Sequence, residues 1–215
     1  MNIHNIYRFF MNRFRPARAK AIAAKFPLLN DPNARVLDVG GGGYPWDILD
    51  PAAHITILNR ERPHTVPEDT KHEFVIGDGT NLQYADQSFD LVFSNSVIEH
   101  VGDLSTQQRF ANEMLRVGRN VYCQTPNKYF FIEPHLIAAF IHWLPYPILR
   151  KLIRYGSIWG WVAKPNQAQI DEFLNSTRLL DLKEFKDLYP NCELRLEEVL
   201  GFTKSFIAEK ISDIK

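Results

Sequence analysis

The sequence predicts an α/β fold: a doubly wound, mostly parallel sheet built within one domain. Three observations lead there. Short apolar runs near residues 35–39, 54–58, 73–77, 90–94 and 119–124 alternate with segments of helical character, the order that sets parallel strands beneath crossing helices. The first run, Arg35 to Val39, stops at Gly40, Gly41, Gly42 and Gly43, a tight turn at the edge where open α/β sheets bind ligands. The chain has 215 residues, 45% of them apolar, with no internal repeat or low-complexity tract, which suits one domain, 1–215, with a substantial core.

Taken in order, residues 1–28 read as a helical segment. Ile3, Ile6, Tyr7, Phe10 and Phe14 fall on one face at helical spacing, flanked by Arg8, Arg13 and Arg15. The strand Arg35 to Val39 then delivers Asp38 and the glycine turn, where missing β-carbons let a ligand approach the main chain. The following segment, Trp46 to Leu49, opens a short helix whose amide end faces the turn. The second strand ends at Asn59, where such folds usually present a carboxylate to ribose hydroxyls; an amide keeps the reach and loses the charge. The third strand ends in Asp78-Gly79, which is also an ordinary turn dipeptide. The fourth, Leu91 to Ser94, runs to Asn95 at the sheet edge and into a helix carrying Glu99 and His100.

Two stretches together carry a family resemblance: Val36-Leu37-Asp38-Val39-Gly40-Gly41-Gly42-Gly43, and Ser88-Phe89-Asp90 continuing to Glu99-His100-Val101. Over roughly residues 30–126 the chain resembles the class I S-adenosylmethionine-dependent methyltransferases of the type 11-like group. The resemblance implies a Rossmann-like sheet of seven strands whose last pair, Glu193 to Val199 and Lys204 to Lys210, is a reversed hairpin. It implies S-adenosyl-L-methionine as cofactor, with Asp38, Gly40, Gly41 and Gly42 around the methionine part. Asn59 would then meet the ribose, Asp78 and Gly79 the adenine, and Asn95 would border the methyl donor. His100 falls near the acceptor as the candidate base, and its alternative role, with Glu99, is to tie the helix to the sheet. Tyr44-Pro45 departs from the family pattern by making the exit of the glycine turn bulkier and stiffer. Ser96 stands where metal-dependent members have a carboxylate, so no metal is expected, with Glu133 and His135 as the alternative ligands.

Chain inserted after the fifth strand covers the active site in this family, which assigns residues 127–178 to a substrate-covering insert. Its polar candidates for acceptor contact are Tyr129, Glu133 and His135. Prolines 126, 134, 145 and 147 divide it, predicting brief helices over Leu136 to Leu144 and Ile148 to Tyr155. Between Glu133 and Asp171 the insert holds no acidic residue but carries Arg150, Lys151, Arg154, Lys164 and many aromatics. Such a surface suits an apolar acceptor with an anionic part, an anionic membrane, or the underside of a lid.

The formal net charge of zero hides a polarised chain, since the first thirty residues hold six basic side chains and no acidic one. That segment reads as an interfacial helix, a cover for an apolar groove, a helix packed on the core, or an Arg-rich transit peptide. Nucleic acid is disfavoured as a partner: the overall charge is not basic, and the fourth strand exits as Ser94-Asn95-Ser96-Val97 in place of the Asn/Asp-Pro-Pro-aromatic signature of base methylation. Cys123 and Cys192 lack metal-ligand spacing and read as buried free thiols. With no run of about twenty apolar residues, the expectation is a cytoplasmic protein, free or peripheral at a membrane. The function expected is methyl transfer to a small or lipid-like acceptor, at oxygen. The alternative from a different class is a cofactor-binding partner subunit or membrane-surface scaffold without catalysis. Nothing in the sequence fixes the oligomeric state.

Overall fold

Valine, isoleucine, leucine and phenylalanine dominate the central strands, and in the computed structural model these strands are buried on both faces. The structure describes residues 15–62, 71–133 and 136–212. The seven strands are β1 (Arg35–Val39), β2 (His54–Asn59), β3 (Glu73–Ile76), β4 (Phe89–Asn95), β5 (Gly118–Pro126), β8 (Glu193–Val199) and β9 (Phe202–Lys210). They lie in the order β3-β2-β1-β4-β5-β9-β8. The first five run parallel, and β9 is antiparallel to both β5 and β8. The order reverses between β1 and β4, registered Val36 to Leu91 and Asp38 to Phe93, and this switch point opens the crevice in which such sheets hold ligands.

Two apolar layers sandwich the sheet. On one face α3 (Leu104–Val117) and α7 (Leu182–Leu188) bring Phe110, Met114 and Phe185 onto Leu37, Val39 and Val92. On the other, α1, described from residue 15 to 25, and the single-turn α2 (Trp46–Leu49) bring Ile22, Phe26 and Trp46 onto Val36, Phe93 and Tyr122. Caps fix where the helices start: Asp103 accepts the Thr106 amide ahead of α3, and Asp181 with Glu184 forms a capping box at α7.

The insert has a small core of its own. Leu136, Ile141, Leu149, Ile153 and Ile170 gather α4 (Tyr146–Gly156), α5 (Ile158–Ala163) and α6 (Gln167–Ser176). The helix expected over Leu136 to Leu144 is replaced by a two-stranded ribbon, β6 (Ile132–Glu133) with β7 (Ala138–Ala139), followed by a 3-10 turn, Ile141–Trp143. Ile137 and Phe140 adopt φ of 48° and 62°, left-handed backbone that a right-handed helix excludes. The helix expected to carry Glu99 and His100 is likewise only a 3-10 turn, Ile98–His100; Gly102 at φ 119° ends it before α3 begins. The second expected insert helix is present as α4, and the expected terminal hairpin is present, with β9 beginning two residues earlier than anticipated. Cys123 is buried, Cys192 only half-buried, and both are free thiols. The stripe from Ile3 to Phe14, and His135, lie outside the described residues.

Candidate functional site

The carboxyl edge of β1 carries tightly constrained backbone. Gly40 has φ 83°, and a β-carbon there would lie 2.5 Å from Val97 of the turn after β4. At Gly41 a β-carbon would lie 1.9 Å from Oδ2 of Asp38. Gly42 is exposed at the tip of the turn, and Gly43 at φ 100° leads through Tyr44-Pro45 into α2. The glycines therefore let the chain fold tightly over its own buried carboxylate, leaving main chain as the surface a ligand meets.

Asp38 is only 1% exposed. Its Oδ2 accepts the Trp46 indole N–H at 2.7 Å, while Oδ1 is buried with no hydrogen-bond partner among the described residues. Burial pushes this carboxyl up to about 7, only partly offset by the indole bond. An orphaned acceptor of this kind under a glycine cradle fits the ammonium end of an amino-acid cofactor.

Asn59 donates from Nδ2 to the Gly41 carbonyl at 3.4 Å, and its Oδ1 accepts the Arg60 amide at 2.9 Å. It therefore anchors the glycine turn to β2. Asp78 is exposed; its Oδ1 accepts from both the amide and hydroxyl of Thr80 at 2.8 Å, and its Oδ2 faces Arg60 at 3.3 Å. The Thr80 amide is the main cause that holds this carboxyl below its ordinary range, as an anionic acceptor. Gly79 sits where a β-carbon would lie 2.7 Å from both Val39 and Phe110, so a side chain there would collide with the end of β1 and with α3. Asp38, the glycine turn, Asn59 and, through Arg60, Asp78 thus share one edge.

At β4 the Ser94 hydroxyl donates to the Val39 carbonyl at 2.9 Å, locking β4 to β1 at the switch point. Asn95 faces a group that inspection of the sequence overlooked. Arg18 of α1 donates to Asn95 Oδ1 at 3.0 Å and to Gln124 Oε1 at 3.4 Å, and it pairs bidentately with Glu197 of β8. Burial alone would raise the Glu197 carboxyl, but the Arg18 contact holds it below its ordinary value. Ser96, at φ 56°, donates its hydroxyl to Gln124 Oε1 at 2.9 Å. Arg18 stands on the stripe that continues to Ile22 and Phe26 at a spacing of about four residues, and a charge inside a buried stripe was the available signal that a distant partner exists. Tyr44 clamps the same helix: its hydroxyl donates to the Arg15 carbonyl at 3.3 Å, and the Arg15 guanidinium lies 4.7 Å from its ring centroid. The bulky turn exit thereby joins the glycine turn to α1.

Glu99 is buried beneath this edge, accepting the Thr125 hydroxyl at 3.0 Å, and its main-chain carbonyl accepts the Arg178 amide at 2.7 Å. It ties the turn to β5 and to the end of the insert, as the structural alternative anticipated. His100 is exposed, with Nδ1 3.4 Å from both the Ser176 carbonyl and the Thr177 hydroxyl. Of the acceptor candidates, Tyr129 and Glu133 are described, and they occupy different surroundings. Tyr129 is exposed and lines a cleft of about 340 Å³ with Asn127, Thr203 and Phe206. Glu133 is buried in the insert and accepts the Leu136 amide at 2.6 Å, closing the ribbon turn. Among the described residues no three His, Cys, Asp or Glu side chains gather as a metal site.

Sheet order, switch-point crevice and glycine cradle are those of the class I S-adenosylmethionine-dependent methyltransferase fold, and the comparisons agree. Residues 37–120 match the family described as a methyltransferase domain. Over 111 residues the chain is 29% identical to phosphoethanolamine N-methyltransferase of Triticum aestivum; the match takes in 45% of this chain and 22% of that protein. Among solved structures, a SAM-dependent methyltransferase of Methanosarcina mazei superposes with a TM-score of 0.51 at 18% identity, covering 86% of this chain and 96% of its own. The N-methyltransferase NodS of Bradyrhizobium japonicum WM9, in complex with S-adenosyl-L-homocysteine, superposes with a TM-score of 0.54 at 11% identity, covering 93% of this chain and 86% of its own. Among the described residues no helix is long and apolar enough to cross a membrane.

Proposed function

We propose that this chain transfers the methyl group of S-adenosylmethionine to an oxygen of a small or lipid-like acceptor. The observation that carries the reading is the buried Asp38 carboxylate, with one oxygen unpartnered, folded under the glycine turn at the switch point. When bound, the cofactor supplies an electrophilic methyl carbon on a sulfonium sulfur. Asp38 receives the ammonium end, Gly40, Gly41 and Gly42 present main chain along the methionine part, and Asn59 keeps the turn seated against β2. A remaining lone pair of Asn59 Oδ1 is left for a ribose hydroxyl, and the anionic Asp78 accepts the adenine amine, with Gly79 leaving room beside it. Asn95, held by Arg18, borders the methyl donor, and positioning of this kind supplies much of the acceleration in an in-line displacement.

A hydroxyl acceptor must lose its proton as the new bond forms. In this reading His100, which is exposed, is the base that takes it, with Tyr129 as an acceptor contact and the insert over 127–178 as the cover. A second reading, transfer to nitrogen, draws on the match to phosphoethanolamine N-methyltransferase of wheat. An amine in its neutral form attacks through its own lone pair, so the transfer step itself needs no base.

The test is calorimetric titration with S-adenosylhomocysteine, followed by an acceptor screen. Wild-type protein is expected to bind, and Asp78→Ala to bind at least tenfold more weakly with unchanged thermal unfolding. No binding by wild-type protein would overturn the proposal in favour of a scaffold without catalysis. His100→Ala is expected to lower turnover of a hydroxyl acceptor by roughly 100-fold or more, and unchanged turnover would remove His100 from the reaction.

A further inference from the structure

Helix α4 has two apolar stripes where a helix covering a core needs one. Leu149 and Ile153 face inward, 7% and 0% exposed, and fill the core of the insert. Ile148, Leu152 and Tyr155, at the i, i+4, i+7 spacing of a single face, are 47%, 45% and 68% exposed. Trp161 of α5 extends this outer stripe: it is 64% exposed, and its indole N–H donates to the Tyr155 carbonyl at 2.5 Å. Exposed apolar side chains scattered singly need no explanation, but a contiguous file of them marks an interaction surface.

Charge identifies what meets this surface. Lys151 and Arg154 are exposed on α4 beside the stripe, Lys164 is exposed at the end of α5, and neither helix contains an acidic residue. Asp171, the first acid to follow, is engaged by Arg150. We propose that the outer face of α4 and α5 docks on an anionic lipid bilayer. Ile148 and Leu152 would enter the acyl boundary, Tyr155 and Trp161 would sit at headgroup level, and the basic side chains would reach the lipid phosphates. A second copy of the chain would set Lys151 and Arg154 against their own kind. The N-terminal segment with Arg8 and Arg13 brings the same sign of charge. The inference deepens the lipid-like acceptor of the proposed function, but it stands on exposure and charge alone.

Co-sedimentation with phosphatidylcholine vesicles, with and without 30 mol% phosphatidylglycerol (roughly a physiological anionic surface), tests it. Binding is expected only to the anionic vesicles, weakened by salt. Lys151→Gln with Arg154→Gln should lower the partition coefficient about 30-fold, and Leu152→Ser should lower it independently. S-adenosylhomocysteine affinity and thermal unfolding of these variants should match the wild type, so that failure of docking and failure of the cofactor site are read separately. Three results would overturn the proposal: no binding to anionic vesicles, equal binding to neutral ones, or binding that survives both variants and is lost in Arg8→Gln with Arg13→Gln.

Discussion

At pH 8, replacing Asp38 by asparagine should move stability and cofactor affinity in opposite directions. Burial pushes the carboxyl up to about 7 in the folded chain, against about 3.9 for an unperturbed aspartate. A raised acid holds its proton in the fold at pH values where the unfolded chain has already lost it. Stability therefore falls as pH rises through the window from about 4 to about 7, and the full loss, about 4 kcal/mol, is in place above it. Asparagine keeps an acceptor for the Trp46 indole but sets an N–H group where Oδ1 lies without a partner, a constant cost of about 1–3 kcal/mol at every pH. The pH dependence is thus the cleaner readout. Between pH 5 and pH 8, Asp38→Asn should gain about 3 kcal/mol on the wild type in urea-unfolding free energy. In calorimetry at pH 8 the variant should bind S-adenosylhomocysteine more weakly, because the ammonium loses its anion, and the wild type alone should gain affinity as pH rises through 7. A stability difference that stays flat within about 0.5 kcal/mol from pH 5 to pH 8 would refute the argument.

Gly41→Ala drives a β-carbon to 1.9 Å from the Asp38 carboxylate; a loss of about 1–3 kcal/mol in unfolding free energy and at least tenfold in S-adenosylhomocysteine affinity is expected. Arg18→Met leaves the Glu197 carboxylate, among the described residues, with Lys204 at 3.8 Å as its remaining ion-pair partner, and it should cost about 3 kcal/mol. Adding Glu197→Gln should recover part of that loss, whereas a double-mutant cycle without coupling would show that the pair carries no net interaction. Burial pushes the thiols of Cys123 and Cys192 up to about 12 and about 11, so iodoacetamide at pH 8 should label neither until the protein is unfolded in denaturant, as mass spectrometry would report.

The central strands were legible because each is a short apolar run stopped by glycine, aspartate or asparagine, and strands buried on both faces leave that mark in the sequence. Asp38 and its glycine turn were legible for the same reason, being contiguous. The segment from Leu136 to Leu144 was not: a short apolar run suits helix, ribbon and turn alike, and left-handed backbone at Ile137 and Phe140 belongs to side chains that rarely adopt it. The break after His100 was concealed because the stretch that carries the family resemblance ends at Val101, one residue before Gly102, where φ reaches 119°. Arg18, Gln124 and Glu197 lie on three separate elements, and only the packing of α1 across the edges of β4, β5 and β8 brings them together. Glu133 looked available as a polar side chain near the insert's start; the ribbon that buries it is fixed by tertiary contacts.

The contact between Arg18 and Glu197 spans 179 residues, which sets an order on biosynthesis. At roughly 5–20 residues per second, a ribosome needs roughly 10–40 s to travel from one to the other. During that interval the strands that carry Asp38, Asn59 and Asp78 are already out, while the guanidinium beside Asn95 has no counter-charge. The half of the crevice that would hold the methyl donor can be shaped early. The cluster of Arg18, Asn95 and Gln124 is closed only when the terminal hairpin brings Glu197, so this edge of the sheet is completed by the last strands to leave the ribosome.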